Sequence, residues 1–128
     1  LIVRENIILT YRVSGALKVD GQVQERGDAL AERGGISNQL DKVPGQLSTG
    51  EQQRVAVCRG LINSPELILA DEPTGNLDPE NEDLIVSLIL EEAARISATV
   101  MMITHERSLC SRFERTVDVL AIREEAAE

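Results

Sequence analysis

The sequence predicts an α/β fold in which a mostly parallel sheet is covered by helices and preceded by a helical subdomain. Three observations lead there. From Leu47 onward, helical patterns alternate with short β runs. The runs Leu67 to Ala70 and Thr99 to Ile103 are of strand length and nearly wholly apolar, the composition of buried strands in parallel sheets. Residues 1 to about 46 differ in texture, with helix-like periodicity broken by glycines.

Taken in order, Val3 to Tyr11 suits a helix that places Val3, Ile7 and Ile8 on one side. Asp20 can cap a second helix, where Val23, Gly27, Leu30 and Ala31 fall at helical spacing and Gly34-Gly35 stops the run. A short helical turn around Ser37 to Lys42 leads to Pro44-Gly45. The next helix spans about Thr49 to Asn63 and ends before Ser64-Pro65, because proline disfavours helical geometry in its predecessor. After the Leu67 to Ala70 strand, Asp78-Pro79 opens a helix with aspartate as cap and proline in the first turn. Its expected inner face is Leu84, Ile85, Leu88, Ile89, Ala93 and Ile96. Thr99 to Ile103 is a second buried strand, about Arg107 to Phe113 a short helix, and Thr116 to Ile122 a third strand. The tail REEAAE is expected to fray.

Composition narrows the function. The 128 residues carry 22 acids against 13 bases, a net charge of −9, which argues against a nucleic-acid surface, since that needs clustered Lys and Arg. No apolar run approaches the ~20 residues of a spanning helix. Tyr11 and Phe113 are the two aromatics, so Leu, Ile, Val and Ala must build the core. Cys58 and Cys110 form neither a disulfide framework nor a metal-spaced cluster. Cys58 sits in a helical pattern as a small buried thiol.

The chemistry gathers in three places. Residues 67 to 78 read LILADEPTGNLD. Alternate strand residues face opposite ways, so Asp71 and Glu72 can serve one ligand only at the strand's carboxyl end, where Pro73 breaks the ladder. Ligands of open α/β sheets bind there. Asp71 would hold Mg²⁺ through water, and Glu72 would polarise an attacking water. The bland alternative is two acids in a solvated turn. Residues 47 to 54 read LSTGEQQR, and Ser48-Thr49-Gly50-Glu51 has the form of a capping box. Helix starts of this kind also bind anions, although most such boxes only cap. His105, the sole histidine, follows the second strand. One imidazole makes a poor transition-metal site.

Together these pieces resemble the ATPase subunits of ATP-binding cassette (ABC) transporters, in consistent order along nearly the whole chain: Val-Arg-Glu-Asn-Ile at 3–7, signature, strand acids, D-loop and histidine. DEPTGNLD looks closest to the branch serving lipoprotein release, macrolide export and antimicrobial-peptide efflux. The resemblance implies the carboxyl-terminal part of a RecA-like P-loop ATPase core. Residues 1–50 would be a partial helical (signature) subdomain and 51–128 part of the core. It implies ATP and Mg²⁺ as cofactors, with Glu72 and His105 catalytic, His105 as the switch histidine on the γ-phosphate, and Asp71 at the metal. Leu47, Ser48, Thr49, Gly50 and Glu51 would be the signature that meets ATP held by the opposite subunit. Gly75, Asn76, Leu77 and Asp78 would be the D-loop between subunits. Thr49 replaces a signature glycine and Glu51 stands where glutamine is commonest. Partners implied are a transmembrane permease and a second ATPase subunit, head to tail. The place implied is cytoplasmic, peripheral on the inner face of the cell membrane, with export or release as the task.

No phosphate-cradling G-x-x-x-x-G-K-[ST] run occurs in these residues. The expectation is therefore a chain that starts just after the Q-loop glutamine and alone neither holds ATP tightly nor hydrolyses it. The third strand would lack its usual neighbour, and exposed strand edges and an uncovered apolar face would follow. Two other readings stand beside this one. The signature lobe of a chromosome-maintenance or DNA-repair ATPase would call for an upstream coiled coil and a basic surface. A non-catalytic regulatory module would dock on a permease or a complete ATPase.

Overall fold

The computed structural model describes residues 1–15 and 17–125. The chain opens with two short helices, α1 (Val3–Ile7) and α2 (Leu9–Val13), where one helix was expected. Ile8, at φ −91° and ψ 11°, separates them. The burial pattern survives the break, since Val3, Ile7 and Ile8 are all buried. The free amides that start α1 are taken up by the loop beneath it, Val3 N–H donating to the Lys42 carbonyl (2.8 Å) and Arg4 N–H to that of Leu40 (2.9 Å).

Helix α3 (Gly21–Arg33) is capped by Asp20, whose carboxylate accepts from Val23 N–H at 2.9 Å. It buries the expected Val23, Gly27, Leu30 and Ala31, and Gly35 turns the chain at φ +65°. Two 3₁₀ turns, Ser37–Gln39 and Pro44–Gln46, lead to α4 (Thr49–Leu61). The main core joins α1, α3 and α4 through Val3, Ile7, Leu30, Ile36, Cys58 and Ile62.

Strand β1 (Leu67–Asp71), helix α5 (Pro79–Ile96) and strand β2 (Thr99–Ile103) form one β–α–β unit. The strands pair in parallel with Leu67 opposite Thr99 and Asp71 opposite Ile103. Ser97 ends α5 in the left-handed region. Along α5, Ile85, Leu88, Ile89 and Ala93 are buried as expected, whereas Leu84 is exposed and Val86 takes an inner place.

The strands depart from expectation: they are not buried on both faces. Ile68, Ala70, Val100 and Met102 are half-buried, while Leu67, Leu69, Met101 and Ile103 stand exposed, Leu69 at 69%. Ile68 packs against the main core and α5 touches β2, so the helices cover one face, and among the described residues nothing lies on the other. The β1 edge is likewise open, along a groove of about 300 Å³ lined by Gln53, Val57, Leu67, Ala70 and Pro73.

A second correction concerns Thr116 to Ile122. It forms no third strand; residues 115–118 are irregular and α6 runs Val119–Glu125. An unpaired strand leaves its amides and carbonyls without partners. Here they are met locally, the Asp118 carboxylate accepting from Leu120 N–H (2.9 Å) and the Asp118 carbonyl from Ile122 N–H (3.4 Å). Of the tail expected to fray, residues 126–128 lie outside those described.

Helices α3 and α5 are clasped by an ion triad. Glu92 is 1% exposed and meets the Arg33 guanidinium and Arg95, the latter at 2.6 Å. Burial alone raises the Glu92 carboxyl, but the hydrogen bonds from Arg95 and Arg33 prevail and hold it below the ordinary value. Beside this clasp, Cys58 is fully buried, with Sγ 3.5 Å from the Leu30 carbonyl. Burial pushes its thiol up to about 12, and the nearby Glu92 charge adds to the effect.

Candidate active site

Parallel pairing places the carboxyl ends of β1 and β2 side by side. One residue beyond the last rung, Glu72 N–H donates to the Ile103 carbonyl (2.8 Å). There the backbone turns out of the sheet: Glu72 has φ +44°. A left-handed residue immediately before proline is sterically disfavoured, at a cost on the order of 1–3 kcal/mol. Two loop bonds hold it there, Gly75 N–H to the Glu72 carbonyl (3.1 Å) and Leu77 N–H to the Thr74 carbonyl (3.2 Å). The Gln53 side-chain amide reaches from α4 to the Pro73 carbonyl (2.9 Å).

This turn brings Glu72 to His105, with Oε1 2.9 Å from Nδ1. The loop beyond β2 is set by Thr104, whose hydroxyl accepts from Glu106 N–H at 3.0 Å. His105 is well exposed and also faces Glu106, 3.5 Å from Nε2. The hydrogen bond to Glu72, reinforced by the Glu72 charge, raises the His105 pKa above the ordinary 6.5. An NMR titration of the ring is expected to give a midpoint above 6.5, falling back toward it in Glu72→Gln. An unchanged midpoint would show that the pair is not formed in solution.

The second oxygen of Glu72, Oε2, is buried and has no hydrogen-bond partner among the described residues. A buried acceptor left unmet is costly. Asp71 ends β1 as an exposed carboxylate next to it. Among the described residues there is no group of three His, Cys, Asp or Glu placed to hold a metal. Mg²⁺ suits the site better, because it binds through one or two carboxylates, retained waters and substrate phosphates.

The residues expected to form the signature bond close to their own turn. Ser48 Oγ accepts from Glu51 N–H (3.3 Å), and Glu51 Oε2 accepts from Ser48 N–H (2.8 Å), which is the expected capping box. Gln39 donates to the other Glu51 oxygen at 2.8 Å. The backbone bond from Ser48 is the main cause that lowers the Glu51 pKa. Leu47 and Gly50 are buried; Ser48 and Thr49 are exposed at the tip.

After Glu72, Gly75 and Asn76 of the expected D-loop are exposed, Asn76 at φ +63°, and Leu77 is half-buried. Asp78 caps α5, accepting from the Asn81 side chain (2.6 Å) and backbone (3.3 Å). The side-chain bond is the larger cause of its lowered pKa. Sequence reasoning missed Asn81 and Arg54. Arg54 is buried and donates to Asn81 Oδ1 at 2.6 Å. The signal for Asn81 was its position three residues after the Asp78 cap.

Comparison with known proteins agrees with this architecture. The family profile "ABC transporter" matches residues 1–75. The lipoprotein-releasing system ATP-binding protein LolD of Shewanella denitrificans is 41% identical over 115 residues, covering 90% of this chain and 48% of that protein. LolD of Gluconobacter oxydans is 42% identical over 113 residues, covering 88% and 48%. Among solved structures, the dimeric bacterial ABC transporter cassette MJ0796 superposes with a TM-score of 0.73 at 31% identity, covering 87% of this chain and 49% of that one. Its post-hydrolysis dimer bound to ADP and Pi gives 0.72 at 31%, covering 85% and 48%. The chain thus spans about half the length of the relatives it matches. With its family profile matched over more than half its residues, and with an α/β fold of the cassette type, the chain belongs to the ABC transporter family of ATPases.

Proposed function

We propose that the chain is the signature- and acid-bearing half of an ATP-binding, ATP-hydrolysing subunit that powers export or release of a substrate through a membrane permease. The observation that carries this is Glu72 against His105 at 2.9 Å on the carboxyl lip of two parallel strands. In this reading residues 1–50 belong to the helical subdomain and 51–128 to the ATPase core. Glu72 orients and polarises water, and His105 holds Glu72 and offers a donor to the γ-phosphate. Asp71 takes Mg²⁺ through water. Magnesium supplies charge neutralisation at the phosphates when bound.

The capped tip of α4, from Leu47 to Glu51, faces ATP on a second subunit placed head to tail, and Gly75–Asp78 lies at that junction. The subunit sits on the inner face of the cell membrane against its permease. The relatives are ATP-binding proteins of a lipoprotein-releasing system, which supports nucleotide binding and release. These residues contain no phosphate-cradling loop, so in this reading they neither hold ATP tightly nor hydrolyse it by themselves.

The test is sedimentation of the chain mixed with a complete LolD-type subunit. ATP is expected to drive association, and the chain by itself to show no turnover. Association indifferent to ATP, or turnover by the chain alone that Glu72→Gln abolishes, would overturn the reading.

A further inference from the structure

Helix α4 touches both the turn after Glu72 and the first turn of α5. Gln53 holds the Pro73 carbonyl at 2.9 Å. One turn of helix away, Asn81 stands against Gly50 so closely that a Cβ on Gly50 would lie 2.5 Å from Asn81 Oδ1. That same oxygen accepts from the buried Arg54 (2.6 Å), while the Asn81 amide nitrogen donates to Asp78 Oδ1 (2.6 Å). Both halves of one side-chain amide are therefore committed, one to α4 and one to the last residue of the Gly75–Asp78 turn. Simple capping of α5 needs neither, because the Asp78 carboxylate already accepts from Asn81 N–H.

We propose that Asn81 is a positioning residue that latches the N-terminal turn of α4 to the Gly75–Asp78 turn, so that displacing the signature tip displaces the loop that holds Glu72. The function of the latch rests on the reading above: a nucleotide gripped by the signature would be sensed, within the same subunit, at the acids. The mechanical link itself needs no nucleotide. A Cβ at 50 would meet the Asn81 amide in the space that glycine leaves, so the amide must shift to admit it. Any side chain there pushes the amide off Asp78, and removing the amide relieves the clash.

Hydrogen exchange of backbone amides in the full chain, without nucleotide or partner, tests the latch apart from the ATP reading. Gly50→Ala is expected to lower protection of the Leu77 and Gly75 amides by about fivefold to thirtyfold, the equivalent of one or two lost hydrogen bonds. In an Asn81→Ala background the same Gly50→Ala change should leave those amides unmoved. Asn81→Ala alone should lower protection at Glu51 and Gln52, across the latch from the helix that Asn81 belongs to. This last measurement decides the matter if Gly50→Ala does not fold. A merely structural role for Asn81 would loosen α5 and leave Glu51 and Gln52 unaffected. An effect of Gly50→Ala equal in both backgrounds, or no response at Glu51 and Gln52, would overturn the proposal.

Discussion

Glu72→Gln is expected to lower ATP turnover by about 10²–10⁴, the usual worth of a positioned general base. The assay joins this chain to the amino-terminal half of a LolD relative, so that the phosphate loop and Glu72 share one subunit. Glutamine keeps the size of the side chain and a hydrogen-bonding oxygen but cannot take a proton from water. ATP-driven association should therefore survive while turnover fails. His105→Ala in the same chimera would separate the two jobs of the pair. A chimera whose turnover is untouched by Glu72→Gln would place the base elsewhere and remove Glu72 from the mechanism.

The largest expected effect on folding comes from Glu92. Removing one partner of a buried ion pair costs about 3–5 kcal/mol, because the other charge is left stranded. Arg33 and Arg95 are each partly exposed, at 34% and 48%, and can recover water, so Glu92→Ala should cost nearer 2–4 kcal/mol. A urea unfolding midpoint measures it; a loss within 0.5 kcal/mol, the range of ordinary surface changes, would mean the clasp is not formed. The pH dependence has a definite sign. The folded-state pKa of Glu92 lies below the ordinary 4.5, so its stabilisation is complete above about 4.5 and is lost as pH falls through the lower, folded value. The gap between wild type and Glu92→Gln should accordingly narrow in acid.

Sequence periodicity sufficed for the helices whose partners lie within the chain. Asp20, Ser48 and Asp78 each cap the helix they were expected to cap, and Val23, Leu30, Ile85 and Ile89 bury as their spacing implies. Where prediction failed, the deciding interaction was absent from the local pattern. An apolar strand such as Leu67 to Ala70 reads as buried on both faces, yet its burial depends on a layer the described residues do not supply. Thr116 to Ile122 has strand composition, but a strand exists only with a neighbour, and the segment instead satisfies itself as irregular chain and helix. Around Glu72, the meeting with His105 followed from both lying at strand ends. The positive φ before proline did not, since it is imposed by the turn and by Gln53. Asn81 and Arg54 were hidden because their hydrogen bond joins residues 27 apart in sequence.

Among the described residues nothing covers Leu67, Leu69, Met101 and Ile103 on the open side of the two-stranded ribbon, and the 128 residues carry a net charge of −9. Their colloidal behaviour is consequently a contest between short-range stickiness and long-range repulsion. At 0.01 M ionic strength the repulsion reaches roughly 30 Å, and at 1 M only about 3 Å. Dilute, low-salt buffers near neutrality therefore keep such chains apart, whereas concentrated salt lets ribbons meet.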